Sequence, residues 1–306
     1  MNLPMIIQGG MGVAISDWRL AKAVAQLGQI GVVSGTGLNR ILTSRLGDGD
    51  PTGHMRRALS HFPLPEPVQN ILQRYYVPGG KAPDAPYKTP PAYTIRPPQF
   101  LDQLTVIANF VEVWLAKEGH GGLVGINLLE KVQLPSLASL YGALLAGVDF
   151  VLMGAGIPTQ VAALLDKLAL HQPVSYRLNV AGAEKDDDYR ISFDPERIFP
   201  GLAQIMKRLK RPRFLPIVSS VALAQALLKR IADEFKDGTV TPNGETVEVA
   251  TGQGAARAHE LLGWRLVFGK RAAQKVRPRP LPQAAQARHR AKAQADKLRP
   301  QLAGQV

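Results

Sequence analysis

The most constraining feature of this chain is a unit that recurs along it: a short apolar run, a glycine-rich or polar turn at its carboxyl end, then a helix or a long loop. Met5-Ile6-Ile7 runs into Gln8-Gly9-Gly10-Met11-Gly12, and Ser16 is the expected N-cap of the helix that follows. Leu20, Ala23, Val24 and Leu27 share one face of that helix, and Gly28 is placed to end it. Ile30-Gly31-Val32-Val33 comes next and stops on Ser34-Gly35-Thr36-Gly37. Further runs lie at 123–127, at 150–153 before Gly154-Ala155-Gly156, at 174–180, and at 214–218 before Ser219-Ser220, making six strand candidates in all. Strand, turn and helix in alternation predict an α/β fold with a parallel sheet. Small and polar residues gathered at the strands' carboxyl ends predict a (β/α)8 TIM-barrel type, whose reactive face is built from βα loops. A doubly wound open sheet is the competing reading, which periodicity leaves open.

The segments between the strands divide clearly. Residues 40–76 read as helical, interrupted at Pro63 and Pro65. Seven prolines between Pro78 and Pro98 remove too many amide donors for a central strand or helix, so 77–98 reads as a long excursion. A lid, an oligomer contact and an active-site wall are its alternatives. Helices are expected at 99–117, 137–146, 159–170 and 221–235, with an acidic loop over 182–195.

Composition bounds the chemistry. The absence of cysteine excludes a disulfide framework, a thiolate nucleophile and an iron–sulfur cluster. No apolar run reaches membrane-spanning length and the N-terminus lacks a signal-type segment, so a cytoplasmic protein without a membrane partner is expected. Of the formal charge of +13, +9 sits in residues 268–306. That tail of Ala, Gln, Arg and Pro reads as a solvated extension of a domain spanning 1–267. No aromatic residues interleave with its bases, which speaks against a nucleic-acid arm. No motif of metal-ligand spacing is present.

The segments Pro4-Met5-Ile6-Ile7-Gln8-Gly9-Gly10-Met11-Gly12 and Gly31-Val32-Val33-Ser34-Gly35-Thr36 resemble the opening of the nitronate monooxygenase (2-nitropropane dioxygenase-like) flavoproteins. The likeness continues through Lys117-Glu118-Gly119-His120, Gly125-Ile126-Asn127-Leu128, Leu152–Pro158 and Ile217-Val218-Ser219-Ser220, and so covers about residues 4–238. It implies an FMN-dependent barrel that oxidises alkyl nitronates or nitroalkanes with molecular oxygen. Gln8, Gly9, Gly10 and Met11 would then lie along the flavin edge and ribityl chain. Asn127 would hydrogen-bond the ring or the substrate, Gly154, Ala155 and Gly156 would line the next loop, and Ser219 and Ser220 would face the flavin's polar side. The cofactor would carry the redox chemistry while the protein positions the substrate.

The sequence departs from that family from about residue 239. The expected Gly-Gly-His segment, source of the family's catalytic histidine, does not follow Lys236-Asp237-Gly238, and no phosphate loop is recognisable. The chain therefore reads as a truncated or frame-altered relative, or as one whose C-terminal part has been replaced. His120 remains the candidate catalytic histidine, although it precedes a strand and so falls at the end opposite a barrel's chemistry. His54 and His61 read as solvent-facing and His171 as loop. Tyr87, Tyr93 and Trp114 are candidate flavin walls, with Trp114 better read as core. Two alternative functions stand beside the first. One is an NAD(P)H-dependent flavin reductase of enoyl-acyl-carrier-protein or quinone substrates. The other is a catalytically inactive relative acting as a binding or oligomeric partner, since an unclosed parallel sheet exposes its edges and leaves room for a homo-oligomer.

Overall fold

The computed structural model describes residues 6–156, 158–184 and 186–217. Met5, Ser219, Ser220, the helix expected at 221–235 and the basic tail lie outside the described residues. The elements are α1 (Trp18–Gln26), β1 (Gly31–Ser34), α2 (Leu38–Gly47), α3 (His54–Leu59), α4 (Pro65–Tyr75), α5 (Gln99–Lys117), β2 (Val124–Leu129), α6 (Ser136–Leu145), β3 (Phe150–Gly154), α7 (Val161–Ala169), β4 (Val174–Arg177), β5 (Arg190–Phe193), α8 (Pro195–Ile198), α9 (Leu202–Ile205) and β6 (Arg213–Pro216).

The chain is α/β, and its described residues form a parallel sheet of four strands in the order β1-β2-β3-β6. Upstream of it, Ile7 bridges Ile30 in the same parallel sense. Among the described residues spatial order therefore follows chain order, with no reversal of the kind that defines a doubly wound sheet. Right-handed crossovers then put the connecting helices on one side. They pack side by side there, α5 against α1, α2 and α6, and α6 against α7.

Alternation along the strands separates two faces. Val33, Ile126, Leu128, Val151 and Met153 join the core beneath the helices. Val32, Asn127 and Leu152 point the other way, meeting Gly10 or Gly125. Both sets are buried, as expected of a parallel sheet.

Four local expectations are corrected. Ser16 does not cap α1; Asp17 does, its Oδ1 accepting from the amides of Arg19 (2.9 Å) and Leu20 (3.3 Å). The face carrying Leu20 and Leu27 is exposed, while Trp18, Ala21 and Ala25 are buried, because the small alanines let α1 approach its neighbours closely. Residues 174–177 do not join the main sheet. They pair antiparallel with Arg190–Phe193, a strand inside the segment expected to be loop. Val174, Tyr176, Ile191 and Phe193 form the buried face of that hairpin.

The proline-rich excursion carries no regular element and is tied down at both ends. The Val77 and Lys81 amides donate to Leu46 O (3.1 Å) and Gly47 O (2.8 Å), and Tyr87 Oη donates to Asp48 Oδ1 at 2.9 Å. Near its far end Tyr93 Oη donates to Leu101 O and to Asp102 Oδ1, both at 3.3 Å. Burial pushes the Asp102 carboxyl up to about 6, only partly opposed by Tyr93 and Arg197. The folded chain thus holds this proton to higher pH than the unfolded chain, and the associated stability is lost as pH rises from about 4 through 6. Asp102→Asn should therefore gain about 2–3 kcal/mol on the wild type between pH 4 and 7. Parallel urea titrations at the two pH values check this; a pH-independent difference would refute it.

Candidate functional site

The carboxyl ends of the parallel strands meet on one face, and the first strand shows how it is made. Pairing runs as far as the Gln8 amide, which donates to Ile30 O at 3.0 Å. There the backbone turns away, leaving the amide and carbonyl of Val32 to be satisfied by other groups. The Gln8 side chain supplies one, its Oε1 accepting from the Val32 amide at 2.8 Å. Ser16 supplies the other, its Oγ donating to Val32 O at 3.0 Å while itself accepting from Gln8 Nε2. Gln8 is thus committed at both ends to holding the turn, and Gly9, Gly10 and Met11 are carried over the end of the sheet.

Asn127 lies beneath that turn on β2. It is buried, and its Nδ2 donates to Gly9 O at 2.7 Å with Met11 Sδ 3.6 Å away. Its Oδ1 is buried without a hydrogen-bond partner among the described residues. A buried carbonyl oxygen left unpaired costs about 1–3 kcal/mol, so it marks a place where a donor from outside the chain would be welcome. Gly10 completes the cradle. Its φ is +64°, and a Cβ there would strike Val32 Cγ1 and lie 2.9 Å from Asn127 Cβ.

The next loop is shaped by a residue that pattern reading passes over. Glu130, immediately after β2, is buried, and its amide donates to Gly154 O at 2.8 Å. Its Oε1 accepts from Tyr176 Oη (3.0 Å) and Asn179 Nδ2 (2.9 Å). Its Oε2 occupies the space that a Cβ on Gly156 would need. Between the two glycines Ala155 is held at φ 58°, a left-handed conformation that strains a residue with a side chain. The only sequence signal for this cluster was the glycine pair. Its partners are 46 and 49 residues from Glu130.

The remaining candidates fall elsewhere. His120 sits before β2, at the amino end of the sheet. Its Nε2 pairs with Ala116 O (2.7 Å) and its Nδ1 accepts from the Gly122 amide (3.1 Å), so it fastens the turn after α5. His54 is half-buried: its Nδ1 is covered and its ring meets the Trp18 ring edge-on, with burial foremost and Arg57 next lowering its pKa. His61 is exposed but stacked on Trp114, centroids 4.3 Å apart. His171 is buried, bonded to Tyr141 Oη and Met206 O, and burial lowers its pKa. Tyr87 and Tyr93 anchor the excursion as described. The face therefore brings together Gln8, Gly9, Gly10, Met11 and Asn127, with Gly154, Ala155 and Gly156 on the adjoining loop. Ser219 and Ser220 are outside the described residues.

Among the described residues no cluster of His, Asp and Glu side chains is arranged to hold a metal ion, and no helix is long and apolar enough to cross a membrane. What the fold and face define is an α/β protein with buried polar side chains, Asn127 and Glu130, gathered under glycine-rich turns at the carboxyl end of a parallel sheet, the end such folds use for ligands. No protein-family model matches the chain, and no curated protein matches its sequence.

Proposed function

We propose that this chain is an FMN-dependent oxidoreductase of the nitronate monooxygenase type, acting on alkyl nitronates or nitroalkanes with molecular oxygen on a (β/α)8-type scaffold. The observation that carries the reading is the unpartnered Asn127 Oδ1 under the Gly9–Met11 turn. It fits the edge of a flat heteroaromatic ring that offers an N–H donor, and the small residues above it allow close backbone approach. The unreversed strand order supports the barrel-type scaffold over a doubly wound one.

When bound, FMN would supply the electron-accepting centre of the reaction. The chain's own residues would bind and orient. Asn127 would accept from the ring and keep its Nδ2 on Gly9 O. Gln8 and Ser16 would hold the turn rigid through Val32. Met11 and the Gly154–Gly156 loop would border the space left for substrate. The Gly-Gly-His segment of the family is absent, so no histidine is assigned to proton abstraction. A substrate supplied already as its anion needs none.

The test is an absorbance spectrum of the purified chain after FMN addition and desalting. Retained bands near about 370 and 450 nm are expected, as for a protein-bound flavin. Asn127→Leu should weaken FMN binding by roughly 10–100-fold, the equivalent of about 1.5–3 kcal/mol of hydrogen bonding. Nitronate turnover with oxygen uptake then separates this reading from the reductase, whose mark is bleaching of the flavin by NADH or NADPH. A protein that stays colourless overturns both.

A further inference from the structure

The hairpin β4–β5 is inserted between α7 and the next strand of the parallel sheet, β6. Its buried face lies towards α6 and α7, and its β4 end reaches the loops that follow β2 and β3. Three side chains take hold of it there. Glu130 accepts from Tyr176 and Asn179. Gln133 clasps Asn179 from both sides, Oε1 accepting from its amide at 2.6 Å and Nε2 donating to its carbonyl at 3.0 Å. Gln160 does the same for Arg177, at 3.0 and 3.1 Å.

Gln160, the N-cap of α7, closes the far end of the loop after β3, whereas Glu130 meets the Gly154–Gly156 stretch of that loop directly. Its amide is bonded to Gly154 O, and its carboxylate lies against Gly156, where any side chain would displace it. Between those two contacts Ala155 is kept in its strained conformation. Such a conformation persists only where its surroundings over-determine it, and Glu130 touches the loop on both sides of it. Among the described residues Glu130 forms no ion pair; two neutral donors hold the carboxylate in place.

We propose that Glu130 is the positioning residue of this face, fastening the β4–β5 hairpin to the loop after β2 and thereby fixing the Gly154–Gly156 loop in the shape a bound ligand requires. The ligand, on the reading above, is FMN, and to that extent this inference rests on it. Glu130 acts through the loop and needs no contact with the ligand itself. The hairpin is then a structural wall of the site, although it belongs to neither the main sheet nor its helix layer.

Two measurements on the full chain test this: FMN affinity by titration, and hydrogen exchange of the ligand-free chain over 152–156. Glu130→Ala should raise exchange over that segment and weaken FMN binding, each by about tenfold, because two hydrogen bonds to a charged acceptor are removed. Glu130→Gln, which keeps an acceptor for Tyr176 and Asn179, should stay within about threefold of the wild type in both. Gln133→Ala loosens the same hairpin without touching the loop and should leave 152–156 protected. If E130A does not fold, Tyr176→Phe serves in its place, with the same direction and about a threefold effect. Unchanged exchange in these variants, or raised exchange with unchanged FMN affinity, overturns the proposal. A wild type that binds no FMN while E130A still unlocks 152–156 overturns the flavin reading and leaves Glu130 as the anchor of the loop.

Discussion

Replacing Glu112 by alanine should lower the unfolding free energy by about 3–5 kcal/mol, the cost of breaking a buried ion pair from one side. Glu112 sits within α5 with its side chain only 4% exposed. One oxygen accepts from the Trp18 amide at 2.8 Å, which closes the first turn of α1, and the other accepts from Arg45 Nη1 at 2.7 Å. Burial drives its pKa up, while Arg45 and the Trp18 amide pull it back. Alanine would strand the Trp18 amide and leave Arg45 with the more distant Asp17, at 3.5 Å, as its remaining carboxylate. Since the same carboxylate ties α1 and α2 to α5, the loss should appear as a lower urea midpoint with little change in slope. Glu112→Gln keeps an acceptor for the amide and should cost less than half as much. A loss below about 1 kcal/mol for Glu112→Ala would mean that water replaces the carboxylate, which would contradict the burial.

The second large effect is expected at the glycine turn, where two adjacent glycines should behave oppositely. Gly10→Ala puts a side chain into a left-handed conformation, at about 1–2 kcal/mol. It also drives a methyl group into Val32 and towards Asn127, an overpacking cost of about 1–3 kcal/mol. The sum is about 2–5 kcal/mol, and because the displaced residue is Asn127, FMN retention should disappear along with it. Gly9→Ala meets nothing nearer than Met11 Cγ at 3.7 Å and should be nearly neutral in stability. Thermal denaturation and flavin spectra of the two variants decide the matter. Equal behaviour would mean that the turn is not held as described.

How far the sequence alone reached is clearest where one helix was read well and another badly. The long helix α5 spans Gln99–Lys117, the range its periodicity predicts, because a nineteen-residue apolar pattern bounded by Pro98 carries its own limits. For α1 the pattern showed an apolar stripe but not the layer it would face. Leu20 and Leu27 are 42% and 78% exposed, and the helix turns its small residues inward instead. Periodicity reports hydrophobicity, whereas burial depends on what the rest of the chain brings alongside.

The site divides in the same way. Strand ends and glycine turns were legible because their spacing is local: each turn must follow its strand within a few residues, and small residues there have a steric reason, whereas the part given to Asn127 came from the resemblance. The parallel sheet followed from the alternation of strands and helices. Its unreversed order did not, since periodicity carries no information about which strands become neighbours. The role of Glu130 is of that second kind. Nothing near it in sequence names Tyr176 or Asn179 as its donors, and the hairpin bearing them was partly read as loop. Only when the long-range pairings formed did a carboxylate at the end of β2, two donors from an inserted hairpin and the space above Gly156 become one arrangement. The reason is physical: local sequence sets the conformational preferences of a short segment, while a buried polar group finds its partners through contacts between segments far apart in the chain.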